Sequence, residues 1–178
     1  IENELKINNE QQILLLAHQR KFLNYLFKAI ENRNLGTVGY YIGGMKEIDL
    51  KASEKNKIIL ATYQMAAEGL DIKTLTSLIL ATPKSDIVQS VGRILREKHS
   101  NPLIIDIVDQ HDCFINQFAK RKAFYNEKKY KMIRTNNNKY IDYIKYIKKG
   151  EKFNEEEIWR ELVVKLKNTK EAKCLIQI

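Results

Sequence analysis

The sequence predicts an α/β fold: a parallel sheet flanked by helices, with a basic, mostly helical C-terminal extension. Three observations lead there. Short apolar runs alternate with amphipathic helical stretches up to about residue 110. Helical spacing dominates after it. The charge is nearly balanced through Gln110, with 14 basic and 13 acidic residues, and turns strongly positive from His111 onward, with 17 basic and 9 acidic.

The first run, Ile13–Ala17, is unbroken, and residues 37–42, Ile58–Thr62, 77–81 and 103–108 repeat its character. Strands covered on both faces read as continuous apolar stretches of this kind. Between the first two runs, residues 21–31 set Phe22, Leu23, Leu26, Phe27 and Ile30 on one helical stripe. Residues 85–96 do the same with Ile87, Val88, Val91 and Leu95. Strands separated by helices need crossover connections, so the sheet is expected to be parallel, with ligands beyond the carboxyl ends of its strands. After Asp109, residues 113–130 and 155–167 carry apolar side chains at helical intervals. Residues 139–149 hold a triplet starting at Tyr140, Tyr143 and Tyr146, preceded by a turn at Asn136 to Asn138 and stopped by Gly150. The expected organisation is a domain over residues 1–110 and a basic helical extension over 111–178 packed on it.

The composition bounds the function. With 178 residues, 44% hydrophobic and 30% charged, 7 Gly and 2 Pro, the chain is a globular one able to bury a core. No apolar run approaches the roughly 18 residues of a membrane span, so no membrane association is expected. Cys113 and Cys174 are far apart in sequence and lack metal-ligand spacing, as do His18, His99 and His111, so no metal site is predicted and a reducing intracellular compartment fits. The first residue is Ile1 and not Met, as expected of a piece of a longer protein. Within residues 120–149, 11 Lys/Arg interleave with five tyrosines. Cations for phosphates and rings for bases point to a nucleic-acid partner, with Lys128, Lys129 and Lys131 as candidate contacts; a solvated helical face whose tyrosines fill the core is the alternative.

QSVGRILR, residues 89–96, is the most informative segment. On a helix Gln89, Gly92, Arg93 and Arg96 occupy i, i+3, i+4 and i+7, so one face carries an amide, bare backbone and two guanidinium groups. Fixed cations on a rigid face suit a developing phosphoryl charge, although a lone GRxxR also fits a surface helix paired to Asp86 or Glu97. Upstream, the run Ile58–Thr62 leads into YQMAAEGLDI, with Thr62 where a hydroxyl can meet a strand phosphate, Gly69 permitting a tight turn, and Asp71 in a strand-end loop. Taken singly these are a β-former, a helix stop and a turn residue. Their order with QSVGRILR is harder to explain so.

In these segments the sequence resembles the second RecA-like domain of superfamily 2 helicases. TYQMAAEGLD is similar to motif V, QSVGRILR to motif VI, ILLLAH to motif IV, and YYIGG to the loop after the next strand. The passage through IIDIVDQHDCFINQFAKRKAFY further resembles helicases of large DNA viruses, of the poxvirus transcript-release type, which implies action in the host cytoplasm or virion. The resemblance implies that Arg93 and Arg96 act as arginine fingers on ATP with Gln89 near its γ-phosphate. It further implies that Asp71 couples nucleotide to an interdomain cleft, that Gly69 shapes motif V, and that Thr62 touches strand phosphates. ATP and Mg²⁺ are implied for the full-length protein. GxxxxGK[ST] and DExD/H patterns are missing from these residues, so a separate N-terminal RecA-like domain is the implied partner and the chain alone is expected not to hydrolyse ATP. A non-catalytic nucleic-acid-binding module is the runner-up. An adenine nucleotide-binding regulatory domain fits less well without a glycine-rich phosphate loop.

Overall fold

The computed structural model describes residues 1–7, 9–94, 102–109, 111–135 and 173–177. Five strands, β1 (Ile13–Ala17), β2 (Val38–Tyr41), β3 (Ile58–Thr62), β4 (Ser77–Leu80) and β5 (Leu103–Asp106), run parallel in the order β2-β3-β1-β4-β5. Helices α1 (Glu2–Ile7), α2 (Arg20–Asn32), α3 (Glu47–Ser53), α4 (Tyr63–Glu68), α5 (Val88–Ile94) and α6 (Asp112–Glu127) alternate with them. The expected parallel α/β sheet is thus observed.

Every residue of β1 and β4 is buried, which is why their sequences are apolar without alternation. Successive side chains still point to opposite faces. Leu14, Leu16, Ile59, Ala61, Leu78 and Leu80 form one core with residues of α4, α5 and α6. Ile13, Leu15, Ile58, Leu60 and Ile79 form the other with Leu23 and Ile30 of α2 and Leu5 of α1. Each fully buried Leu or Ile contributes about 1.5–3 kcal/mol, so the two cores lock the strand ends in register.

Helix α5 begins at Val88 and not at Ser85, because the Asp86 carboxylate accepts the Val88 amide at 3.1 Å and sets the helix start there. Past the end of β5, the Ile107 amide still donates to Leu80 O at 3.2 Å and closes the β4–β5 ladder. In the extension, α6 covers the first core with Phe118 and Tyr125. Two strands add to the helical expectation: β6 (Met132–Thr135) and β7 (Lys173–Gln177), with β7 antiparallel between β5 and β6. The helices expected at 139–149 and 155–167 lie outside the described residues.

Candidate functional site

Because the strands are parallel, their carboxyl ends fall in one row: Ala17 pairs with Thr62, Leu16 with Leu80, and Leu80 with Asp106. His18, Thr62, residues 81–84 and Asp106 therefore share one edge of the sheet, where ligands of such folds bind. Half-buried Thr62 caps α4, its Oγ1 accepting the Met65 amide at 3.5 Å. In that bond Oγ1 only accepts, so the hydroxyl proton is not engaged by it.

Tyr63, the first residue of α4, is buried, and its hydroxyl donates to Thr82 O at 2.5 Å. Burial, and then the Asp106 carboxylate, pushes this phenol well above its ordinary value, so it remains a donor. The His18 ring lies 4.7 Å from the Tyr63 ring, and Lys84 Nζ sits 4.8 Å from that ring's centroid. His18 also donates its backbone amide to Thr82 Oγ1 at 3.1 Å, and its Nε2 lies 2.9 Å from Pro83 O. Three consecutive residues, Thr82, Pro83 and Lys84, are thereby strapped to the ends of β1 and β3.

From the other side the strap is held by a cluster that sequence reasoning missed. Arg121 of α6 is fully buried; its Nε and Nη2 donate to the two Asp106 oxygens at 2.8 and 2.9 Å, and its Nη1 donates to Lys84 O at 2.6 Å. Tyr125 donates to Asp106 Oδ2 at 3.0 Å, and burial together with that carboxylate pushes its phenol far up. Asp106 is consumed by these bonds and is not a free catalytic carboxylate. The signal was present in the sequence: Arg121 stands in helical phase with Phe118 and Tyr125, on the apolar stripe and not among the exposed cations.

Helix α5 leads away from the strap. Ile87, Ser90 and Val91 are buried, whereas Gln89 and Gly92 are exposed. A Cβ at Gly92 would meet no described atom within 4 Å, so neither packing nor backbone strain in the described chain calls for glycine there. Arg93 follows within α5; Arg96 lies outside the described residues. Gly69 ends α4 at φ −142°, and a Cβ there would sit 3.6 Å from Tyr41 Oη. Gly69 thus forms the turn that stops α4, and it does so without a positive φ, so its backbone conformation is open to other residues. Asp71 is exposed between buried Leu70 and Ile72.

Lys128, Lys129 and Lys131 are exposed in the turn from α6 to β6. Met132 pairs with Ile176, which pairs with Ile104, whereas Arg134 pairs with Cys174 and lies level with Asp106. The lysine turn thus stands at the amino end of the sheet, about 15 Å of strand away from the edge that carries Thr62. The fold does not bring the two groups of candidate nucleic-acid contacts together. Among the described residues no group of three His, Cys, Asp or Glu could hold a metal, and no helix is long and apolar enough to cross a membrane.

No protein-family model matches the chain. Over 161 residues it is 40% identical to a protein of Acanthamoeba polyphaga mimivirus that bears the name of an ATP-dependent RNA helicase, L396, a match taking in 88% of this chain and 30% of the relative. A protein of African swine fever virus with the same kind of name, QP509L, is 27% identical over 133 residues, 69% of this chain and 26% of the relative. The chain spans less than a third of the length of these relatives. Among solved structures it is similar to the C-terminal domain of the DEAD-box protein Dbp5, with a TM-score of 0.58 at 16% identity over 70% of this chain and 76% of that one. That likeness concerns the fold.

Proposed function

Because the chain is a C-terminal RecA-like domain of the superfamily 2 helicase type, we propose that it is the second motor domain of an ATP-dependent nucleic-acid helicase or translocase. In this role it closes onto a first RecA-like domain that supplies the phosphate loop. The names of its viral relatives support RNA as the strand, and a viral helicase of this kind would act in the host cytoplasm or virion.

The observation that carries this reading is the outward face of α5. Buried Ile87, Ser90 and Val91 anchor the helix, while Gln89 and Gly92 face outward with room beside Gly92 that no described residue fills. The Gln89 amide and, by their sequence spacing, the guanidinium groups of Arg93 and Arg96 would make a donor set suited to triphosphate oxygens, with Gly92 leaving room for them to approach. On cleft closure the two arginines stabilise charge on the transferring phosphoryl group, and Gln89 orients its γ-oxygens. Asp71 links that cleft to the loop before β4, which the chain enters from the turn at Gly69. Thr62 donates to a strand phosphate at the carboxyl edge, so strand binding and cleft closure act on one rigid sheet. Lys128, Lys129 and Lys131 form a second, outer cationic contact. Mg²⁺ would be held by the first domain and the triphosphate, where it would neutralise phosphate charge.

The test compares this chain alone with a protein that joins it to a phosphate-loop domain. Alone, it should bind single strands with an affinity that falls steeply with salt and should not turn over ATP; joined, it should hydrolyse ATP with strand stimulation. Strand binding without turnover in the joined protein would instead make the chain a non-catalytic binding module.

A further inference from the structure

His18 and Tyr63 reach from the ends of two different strands to the same short segment. Tyr63 Oη donates to Thr82 O at 2.5 Å, and His18 Nε2 lies 2.9 Å from Pro83 O. Thr82 and Pro83 belong to the connection that leaves β4 and enters α5. Tyr63 follows Thr62 directly, and His18 follows Ala17, the register partner of Thr62. We propose that His18 and Tyr63 are positioning residues for strand-stimulated ATP hydrolysis, clamping the Thr82–Pro83 strap so that the sheet edge carrying Thr62 and the helix carrying Gln89 and Arg93 move as one body.

Physical reasons favour a coupling role over simple support. His18 is exposed and adds nothing to either core, yet its ring packs on Tyr63 and its Nε2 meets the strap. Arg121 fixes the next carbonyl, that of Lys84, from α6, so the strap is held on both sides and has little freedom to move apart from β1 and β3. A strand phosphate that displaces the Thr62 edge therefore shifts the start of α5. A shift of about 1 Å is enough to bring a guanidinium into or out of line with a phosphoryl group. The inference rests on the finger reading of α5 and adds to it the path by which strand contact reaches that helix.

Four variants test it in a protein with both motor domains: Tyr63→Phe, His18→Ala, His18→Gln and Arg93→Ala. Each of the first two removes one hydrogen bond to the strap, and each should lower strand-stimulated kcat by about three- to tenfold, with the KM for ATP and the strand Kd unchanged. Hydrogen exchange should quicken at the amides of residues 85–94 and nowhere else. His18→Gln, whose amide nitrogen takes the place of Nε2, should recover most of the turnover. An unchanged kcat in Tyr63→Phe and His18→Ala, beside a lost one in Arg93→Ala, overturns the clamp and leaves the finger reading standing. A weakened strand Kd with full kcat at saturation overturns it by making His18 a direct contact. Faster exchange throughout the chain overturns it by making both residues merely structural. Full turnover by Arg93→Ala overturns the finger reading and the clamp with it.

Discussion

Replacing Gly92 by alanine adds one methyl group to the outward side of α5. Glycine costs a helix interior about 0.8–1.0 kcal/mol relative to alanine, and part of that gain comes from a less flexible unfolded chain. Where the backbone suits alanine, the exchange is worth about 0.4–1 kcal/mol. The new Cβ would meet no described atom within 4 Å, and the backbone is helical, so no clash or strain offsets the gain. Gly92→Ala should therefore stabilise the chain by about 0.4–0.9 kcal/mol and raise its Tm by about 1–4 °C, as read by circular dichroism. On the proposed closure of a first motor domain onto α5, the same methyl group would enter the cleft, and a displacement on the order of 1 Å there should lower kcat by about 100-fold. Stabilisation with inactivation is a pairing that a purely structural glycine cannot give. A lowered Tm would show that the chain itself needs the space. A raised Tm with full turnover would show that nothing closes on this face of α5.

Arg121→Met leaves the Asp106 carboxylate buried without its cation and should cost about 3–5 kcal/mol in urea unfolding, while adding Asp106→Leu should restore most of the loss, because a buried pair is worth little against apolar replacements. Alkaline pH should weaken the fold: Tyr63 and Tyr125 have raised folded-state values, so their contribution is fully present below the ordinary phenol value of 10.0 and is lost as pH rises above it. The folding constant should fall about tenfold per pH unit for each phenol, and a Tyr63→Phe, Tyr125→Phe double variant should flatten the slope. Thr62→Ala removes a long capping bond and should cost about 0.5–1 kcal/mol in thermal melting, together with a weaker strand Kd; an unchanged Kd would remove Thr62 from the nucleic-acid contacts.

Much of the sheet was legible in the sequence because burial on both faces forces unbroken apolar runs, as in Ile13–Ala17 and Ile58–Thr62. Of the stripe read on α5, Ile87 and Val91 are buried as expected, whereas Val88 is exposed because it stands at the first turn beside Asp86; Leu95 lies outside the described residues. β6 and β7 were not legible: MIRT and KCLIQ mix apolar with charged or polar residues instead of forming an unbroken apolar run, and they exist through pairing, β7 with β5 and β6 with β7. Arg121 was hidden for another reason. Counting charge places it among the basic residues of the extension, and only helical phase against Phe118 and Tyr125 marks it as buried. The strap contacts of His18 span 65 residues of sequence, a separation over which spacing carries no signal. Gly69 was legible as the stop of α4, but not its backbone conformation: glycine after a helix often takes a left-handed turn, and here it takes φ −142°.

The most direct measurement is kcat for ATP hydrolysis by Arg93→Lys in a protein containing both motor domains, alongside the unaltered enzyme at saturating strand. Lysine keeps the charge but loses the planar fork that meets two phosphate oxygens. The account predicts a fall of roughly 10³- to 10⁵-fold, the range of arginine fingers, with strand affinity unchanged. Turnover near that of the unaltered enzyme would contradict it and leave the exposed face of α5 without a catalytic part.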